Sequence, residues 1–156
     1  MLGGDEVNKL KKFKFRLQVV LDMRENELEQ RQMEAAKIMA KLREQENRRE
    51  EIIQSQIRND EQMENLYTLE SIDIQQLEGH RDYGLKLMVD IVNQERVIAN
   101  TKAILERKMS EVREAHKKVE ILKKLKEKQE KQYYKEFLDS EMKELDDITS
   151  ARFNLE

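Results

Sequence analysis

Between residues 17 and 66 the chain reads LQVVLDMRENELEQRQMEAAKIMAKLREQENRREEIIQSQIRNDEQMENL, without a proline, a glycine or a cysteine. Alternate steps of four and three from Leu17 meet Leu21, Arg24, Leu28, Arg31, Ala35, Ile38, Leu42, Gln45, Arg49, Ile52, Gln56, Asn59, Met63 and Leu66, and nine of these fifteen positions are apolar. That spacing is a heptad seam, the stripe by which one long helix packs along another. Ile53 and Ile57 beside it predict that the stripe drifts, as it does in a helix near 3.6 residues per turn. The polar seam positions weaken the packing, and such residues also fix register.

A second seam runs through Met88, Ile91, Glu95, Ile98, Lys102, Leu105, Met109, Val112, His116 and Val119, seven of ten apolar. Glu27 with Arg31, Glu44 with Arg48, Glu114 with Lys118, Glu120 with Lys124, Glu127 with Lys131 and Asp139 with Lys143 are acid-before-base pairs four apart. Each adds roughly 0.2 to 0.5 kcal/mol to an exposed helix. The pattern weakens only between about Thr68 and Gly84. Asp73, with Gln76 three residues on, has the form of an N-cap and capping box, and this places the turn at 69–73. The competing turn site is Gly79 to Gly84, since each glycine costs about 1 kcal/mol inside a helix relative to alanine. The expected fold is all-α, a single antiparallel coiled-coil hairpin over 1–156. Its helix 1 covers about 8–68 and its helix 2 about 73–150, with the second helix able to project past the first. Some sixty helical residues make a rod about 90 Å long.

Composition agrees with that reading. The 156 residues include 30 Lys+Arg, 33 Asp+Glu, four glycines and no proline, and 38% are apolar. Charged side chains are rarely buried unpaired, so a thick core is excluded, and turn residues are too few for a sheet protein. The absence of cysteine excludes disulfides, thiolate metal sites and cysteine nucleophiles, and fits a reducing compartment. The sequence has no apolar run of leader or membrane-spanning length, so neither a cleaved leader nor membrane insertion is expected.

No GxxxxGK[ST], GxGxxG or GxSxG is present, and neither His80 nor His116 follows a glutamate by three. No catalytic residue, cofactor or metal is therefore expected, and His116 reads as a half-buried seam histidine. Carboxylate pairs without a pocket are solvated charge rather than an acid/base couple. The charge is nonetheless unevenly placed. Lys9 to Arg16 carries five basic residues and no acid; 113–135 carries nine against four, a net of +5; from Glu136 onward seven acids face two bases. The formal net charge of −3 opposes bulk nucleic-acid binding. The lysines from Lys117 to Lys131, followed by Tyr133 and Tyr134, keep open a nucleic-acid-associated helix, although interleaved glutamates and the acidic tail would repel a polyanion.

The stretch Lys12-Phe13-Lys14-Phe15-Arg16-Leu17-Gln18-Val19-Val20-Leu21-Asp22-Met23-Arg24-Glu25 resembles the N-terminal signature of the flagellar FliJ family, a basic-Phe alternation followed by Leu-Gln and an Arg-Glu pair. Ser71 to Ile74 with Tyr83 and Ile91 to Gln94 resembles the family's second-helix start, and Tyr133 to Arg152 its close. The resemblance implies a cytoplasmic, non-enzymatic coiled coil of the flagellar type III export apparatus, similar to the central stalk of rotary ATPases and associated with the cytoplasmic side of the inner membrane. By that likeness its termini enter the ring of the export ATPase FliI, with its regulator FliH. Another part contacts the export gate protein FlhA, and export chaperones are escorted.

Carried onto this sequence, the ATPase-facing residues are Lys12, Phe13, Phe15, Arg16, Leu17, Leu21 and Arg24, expected beside Leu145, Asp146, Ile148 and Arg152 if the second helix overhangs little. The gate-facing residues are Leu85, Met88, Val92 and Glu95, with Gly84 standing where the family often has a large aromatic. The alternative for Met88 and Val92 is packing against the first helix. The remaining alternatives for the whole chain are a generic coiled-coil scaffold or secretion chaperone, and a nucleic-acid-associated basic helix.

Overall fold

A computed structural model describes residues 13–155, and among them two helices account for nearly all of the chain: α1, Gln18–Tyr67, and α2, Ile74–Phe153. The first helix starts later than expected. Phe13, Lys14 and Phe15 are non-helical, and the chain turns at Phe15, whose carbonyl accepts from Gln18 N at 3.1 Å. The physical reason is that Phe15 is buried against Leu21, two residues before the N-cap Leu17, where it staples the incoming strand to the first turn. An extended entry brings Phe15 inward; continuing the helix back would rotate it elsewhere.

The turn falls where Asp73 predicts it. Asp73 Oδ1 accepts from the backbone amides of Gln75 (3.1 Å) and Gln76 (3.4 Å), satisfying two of the donors left free at a helix start. The helix runs on unbroken through Gly79 and Gly84.

The contacts divide the chain into two compact units. In the unit of residues 30–112, Arg31 meets Glu111, Glu46 meets Lys102, the Gln45 carbonyl accepts from Gln94, and Asn59 meets His80. Partners rise along α1 as they fall along α2, so the helices are antiparallel. In the unit whose described part is 13–29 with 113–155, Gln18 meets Lys126 and Glu25 meets Lys123, again antiparallel.

The seam predicted on α1 is the seam observed: of its fifteen positions only Leu17 is exposed. The predicted drift is seen at Ile53, which is half-buried like Ile52, but not at Ile57, which is exposed. On α2 one row is right, through Ile91, Ile98, Leu105, Val112 and Val119, but the other lies one residue earlier than expected. Leu87, Gln94, Thr101, Lys108 and Ala115 face inward, whereas Met88, Glu95, Lys102 and His116 are exposed and Met109 is half-buried. His116 is therefore a surface residue, 3.9 Å from Glu120. The true row is no more apolar by count than the expected one, with two apolar residues of five in each. It works because Ala115 permits close approach, Thr101 returns its hydroxyl to the Val97 carbonyl (3.1 Å), and Gln94 and Lys108 reach across to partners on α1.

Candidate functional site

The FliJ-like N-terminal motif lies in the unit built from 13–29 and 113–155. Lys12 falls outside the described residues. Phe15, Leu21 and Val119 form a buried apolar cluster, with Phe13, Leu28, Leu122 and Leu125 packed around it. The Phe13 ring stacks obliquely on Tyr133 with centroids 5.6 Å apart, and Tyr133 meets Tyr134 edge-on at the same distance. Such pairs add about 0.5 to 1.5 kcal/mol beyond area burial. Lys126 Nζ donates to Gln18 Oε1 at 2.8 Å and closes the rim. A shallow groove lined by Phe13, Phe15, Lys126 and Glu130 runs beside it.

The motif thus separates into two roles. Phe13, Phe15 and Leu21 face inward and hold the start of α1 onto α2. Arg16 is exposed, Leu17 is 38% exposed, and Arg24 is half-buried with its guanidinium bonded to Glu27 at 2.8 Å. Beside them Val19, Val20 and Met23 are exposed as well. Sequence reasoning did not select these three, although the heptad already leaves positions 19, 20 and 23 off the seam. The outward surface is an apolar shoulder bordered by Lys14 and Arg16.

Leu145, Asp146, Ile148 and Arg152 do not lie beside the motif. The motif pairs with α2 between Val119 and Tyr133, and Phe153 stands twenty residues past Tyr133, about 30 Å farther along the helix. The expectation of a short overhang is therefore corrected. The cause is the turn at Phe15: α1 starts at Gln18, opposite Lys126, and the non-helical Phe13 reaches Tyr133, while α2 continues to Phe153. All four residues are exposed, as are Leu138 and Met142 before them.

In the other unit Leu85, Met88 and Val92 are each more than half exposed, together with Val89, and Glu95 is exposed beside them. Packing of Met88 and Val92 against α1 is overturned by the one-residue shift of the inward row. On the inward side of this same stretch, Asn59 is 2% exposed. Its Nδ2 donates to the His80 carbonyl at 2.8 Å, and its Oδ1 lies 2.8 Å from His80 Nδ1, which assigns the ring hydrogen to Nδ1. A Cβ at position 84 would lie 3.1 Å from Asn59 Nδ2, so any side chain larger than glycine's crowds that amide.

Four charges tie the helices farther along. Lys108 Nζ reaches Glu34 at 3.2 Å and Glu111 at 3.5 Å, while Arg31 reaches Glu111 at 3.2 Å and Glu34 at 3.5 Å. The hydrogen bond from Lys108 holds the Glu34 carboxyl below its ordinary pKa, opposed in part by desolvation. The same bond raises Lys108, with the Glu111 charge assisting.

Among the described residues no helix is long and apolar enough to cross a membrane. A family model described as flagellar FliJ protein matches residues 13–156. No curated protein and no solved structure matches the chain.

Proposed function

We propose a function from the premise that this chain belongs to the flagellar FliJ family, whose model spans residues 13–156. Membership gives it a role in flagellar protein export. Within that role it acts as a non-enzymatic, stalk-like coiled coil that engages the export ATPase ring through one unit and the export gate through the other, and it escorts export chaperones on the cytoplasmic side of the inner membrane.

The observation that carries this reading is that each unit exposes an apolar surface of its own. The first comprises Leu17, Val20 and Met23 with Arg16; Leu145 and Ile148 form a further exposed apolar stretch on the overhang of the same unit. Large side chains exposed beside orienting charges suit a docking site in which apolar anchors supply affinity and charges select orientation. The second comprises Leu85, Met88, Val89 and Val92 beside Glu95. Phe13, Phe15 and Leu21 contribute by shaping the first surface from within.

The test is a double dissociation with the cognate ATPase and the soluble domain of the gate protein. Arg16→Glu with Leu17→Asp lowers ATPase stimulation about tenfold and leaves gate binding intact. Met88→Asp with Val92→Asp does the reverse. Each estimate corresponds to about 1.4 kcal/mol, within the usual cost of removing an interface anchor. Loss of both activities in both variants, or of neither, rejects the assignment.

A further inference from the structure

The lysines of α2 divide by what they face. Lys102, Lys108, Lys123 and Lys126 reach across to Glu46, Glu34, Glu25 and Gln18 on α1. Lys117, Lys124, Lys128, Lys131 and Lys135 face the other way, and all five are exposed. With Ile121, which is 66% exposed, they recur at steps of four and three. At 3.6 residues per turn they therefore stand within about 40° of one line, opposite the inward Ala115, Val119 and Lys126, and the line is about 27 Å long. Past Lys135 the same steps lead to Leu138 and Met142, both exposed. Lys117 is held by Glu114 at 3.4 Å and Lys131 by Glu127 at 2.8 Å, whereas Lys124, Lys128 and Lys135 have no carboxylate within ion-pair distance among the described residues.

No carboxylate stands on the line between Lys117 and Lys135. Glu114 lies on one side of it and Glu120 and Glu127 on the other, about 60° to 80° round the helix, and Asp139 stands about 40° off it past Lys135. These acids make the cationic face narrow. A bilayer, being a plane, meets Glu114, Glu120 and Asp139 along with the lysines, and a phosphate backbone offers no counterpart to Ile121, Leu138 and Met142. A single helix laid alongside contacts a strip of this width and presents its own side chains at the same steps of three and four. We propose that this line docks an amphipathic acidic helix of another protein, whose carboxylates meet the lysines and whose apolar side chains meet Ile121 toward one end and Leu138 and Met142 at the other. Charge selects and orients the partner, and the apolar contacts fix its position along the line. None of the residues assigned to the ATPase or the gate takes part.

The test uses the full chain and a fluorescent synthetic helix of ~28 residues, with glutamates at steps of three and four on one face and leucines toward both ends of that face. Its control has the same composition with the glutamates spread over all faces. By fluorescence anisotropy at ~0.1 M salt, where the Debye length is about 10 Å, the probe binds at tens to hundreds of micromolar and the control about tenfold more weakly; ~1 M salt, where it is about 3 Å, releases the probe. Lys124→Glu with Lys128→Glu weakens binding about tenfold or more, and Ile121→Asp about fivefold. Lys37→Glu with Lys41→Glu, an equal change of charge at exposed positions of α1, leaves it unchanged. Far-ultraviolet circular dichroism checks that each variant keeps wild-type helicity. Equal binding of probe and control, or equal loss in the two double variants, reduces the effect to bulk charge and overturns the proposal, as does binding of the probe weaker than about 1 mM. Binding as tight or tighter to vesicles of phosphatidylglycerol and phosphatidylethanolamine, or to a single-stranded oligonucleotide, assigns the line to a membrane or to nucleic acid and equally discards the acidic helix.

Discussion

The start of α1 and the stretch near the turn are held to α2 by opposite means. Around Phe15, Leu21 and Val119 the contact is an apolar cluster with an aromatic rim. At Asn59 it is a buried amide whose two ends are both satisfied by His80. Burial of aliphatic and aromatic groups supplies free energy but tolerates sliding, because apolar contact has little direction. A buried amide contributes little net energy but is costly to leave unpaired, so it admits only the register that satisfies it. The first region is where stability is expected to reside, and the second where alignment is set.

Leu21→Ala gives the largest expected effect. Leu21 is 3% exposed, and truncating such a residue removes both transfer energy and packing, about 2 to 4 kcal/mol. Urea unfolding followed by helical circular dichroism measures it as a lower midpoint with little change in slope. The contrast between the regions breaks if Leu21→Ala costs no more than Asn59→Ala.

Asn59→Ala is expected to cost about 1 to 2 kcal/mol, since it strands the His80 Nδ1 hydrogen. Gly84→Ala sharpens the point. Alanine is ordinarily better than glycine inside a helix by about 1 kcal/mol, but here the new methyl would meet Asn59 Nδ2 at 3.1 Å, and that amide is fixed by its bond to the His80 carbonyl. Gly84→Ala should be neutral or destabilising in the wild type and stabilising in the Asn59→Ala background. A double-mutant cycle with no coupling removes Asn59 from its role as a register lock.

The fold was legible because heptad spacing in α1 is dense enough to fix its inward face, and because Asp73 announces a helix start by its chemistry alone. The inward row of α2 was not. Met109 is more apolar than Lys108, but Leu87 is at least as apolar as Met88, and with two apolar residues of five in each row a count of hydrophobic residues does not separate them. The choice between adjacent rows depends instead on partners across the seam: Gln94 needs the Gln45 carbonyl and Lys108 needs Glu34, and no single strand of sequence shows both members. The same limit applies to the candidate surfaces. The family likeness found Phe13, Phe15 and Leu21 by type, but whether a phenylalanine faces a partner or its own helix depends on Tyr133 and Val119, about a hundred residues away. The length of the overhang was hidden for the same reason, since it follows from the turn at Phe15.

The smallest effect lies in the Arg31, Glu34, Lys108 and Glu111 group, which joins the helices by charge alone. Because the folded state lowers the Glu34 pKa, its contribution is complete above the unfolded value of about 4.3 and is lost as pH falls through the lower folded value. Lys108 is raised, so the same contact is complete below about 10.4 and is lost as pH rises through the higher folded value. Glu127 and Lys131 shift in the same directions, but they stand four apart on one helix and close nothing between helices. Acidification at low salt should therefore reduce amide protection around residues 31–38 and 105–112 before it disturbs the Phe15 cluster. Lys108→Met should abolish most of that early loss, whereas Lys131→Met should leave it unchanged. High salt should blunt the effect in the wild type, as it does for any exposed pair. If protection falls together in both regions, the apolar cluster and the charged contact open as one unit, and the division of labour between energy and alignment does not extend to local opening.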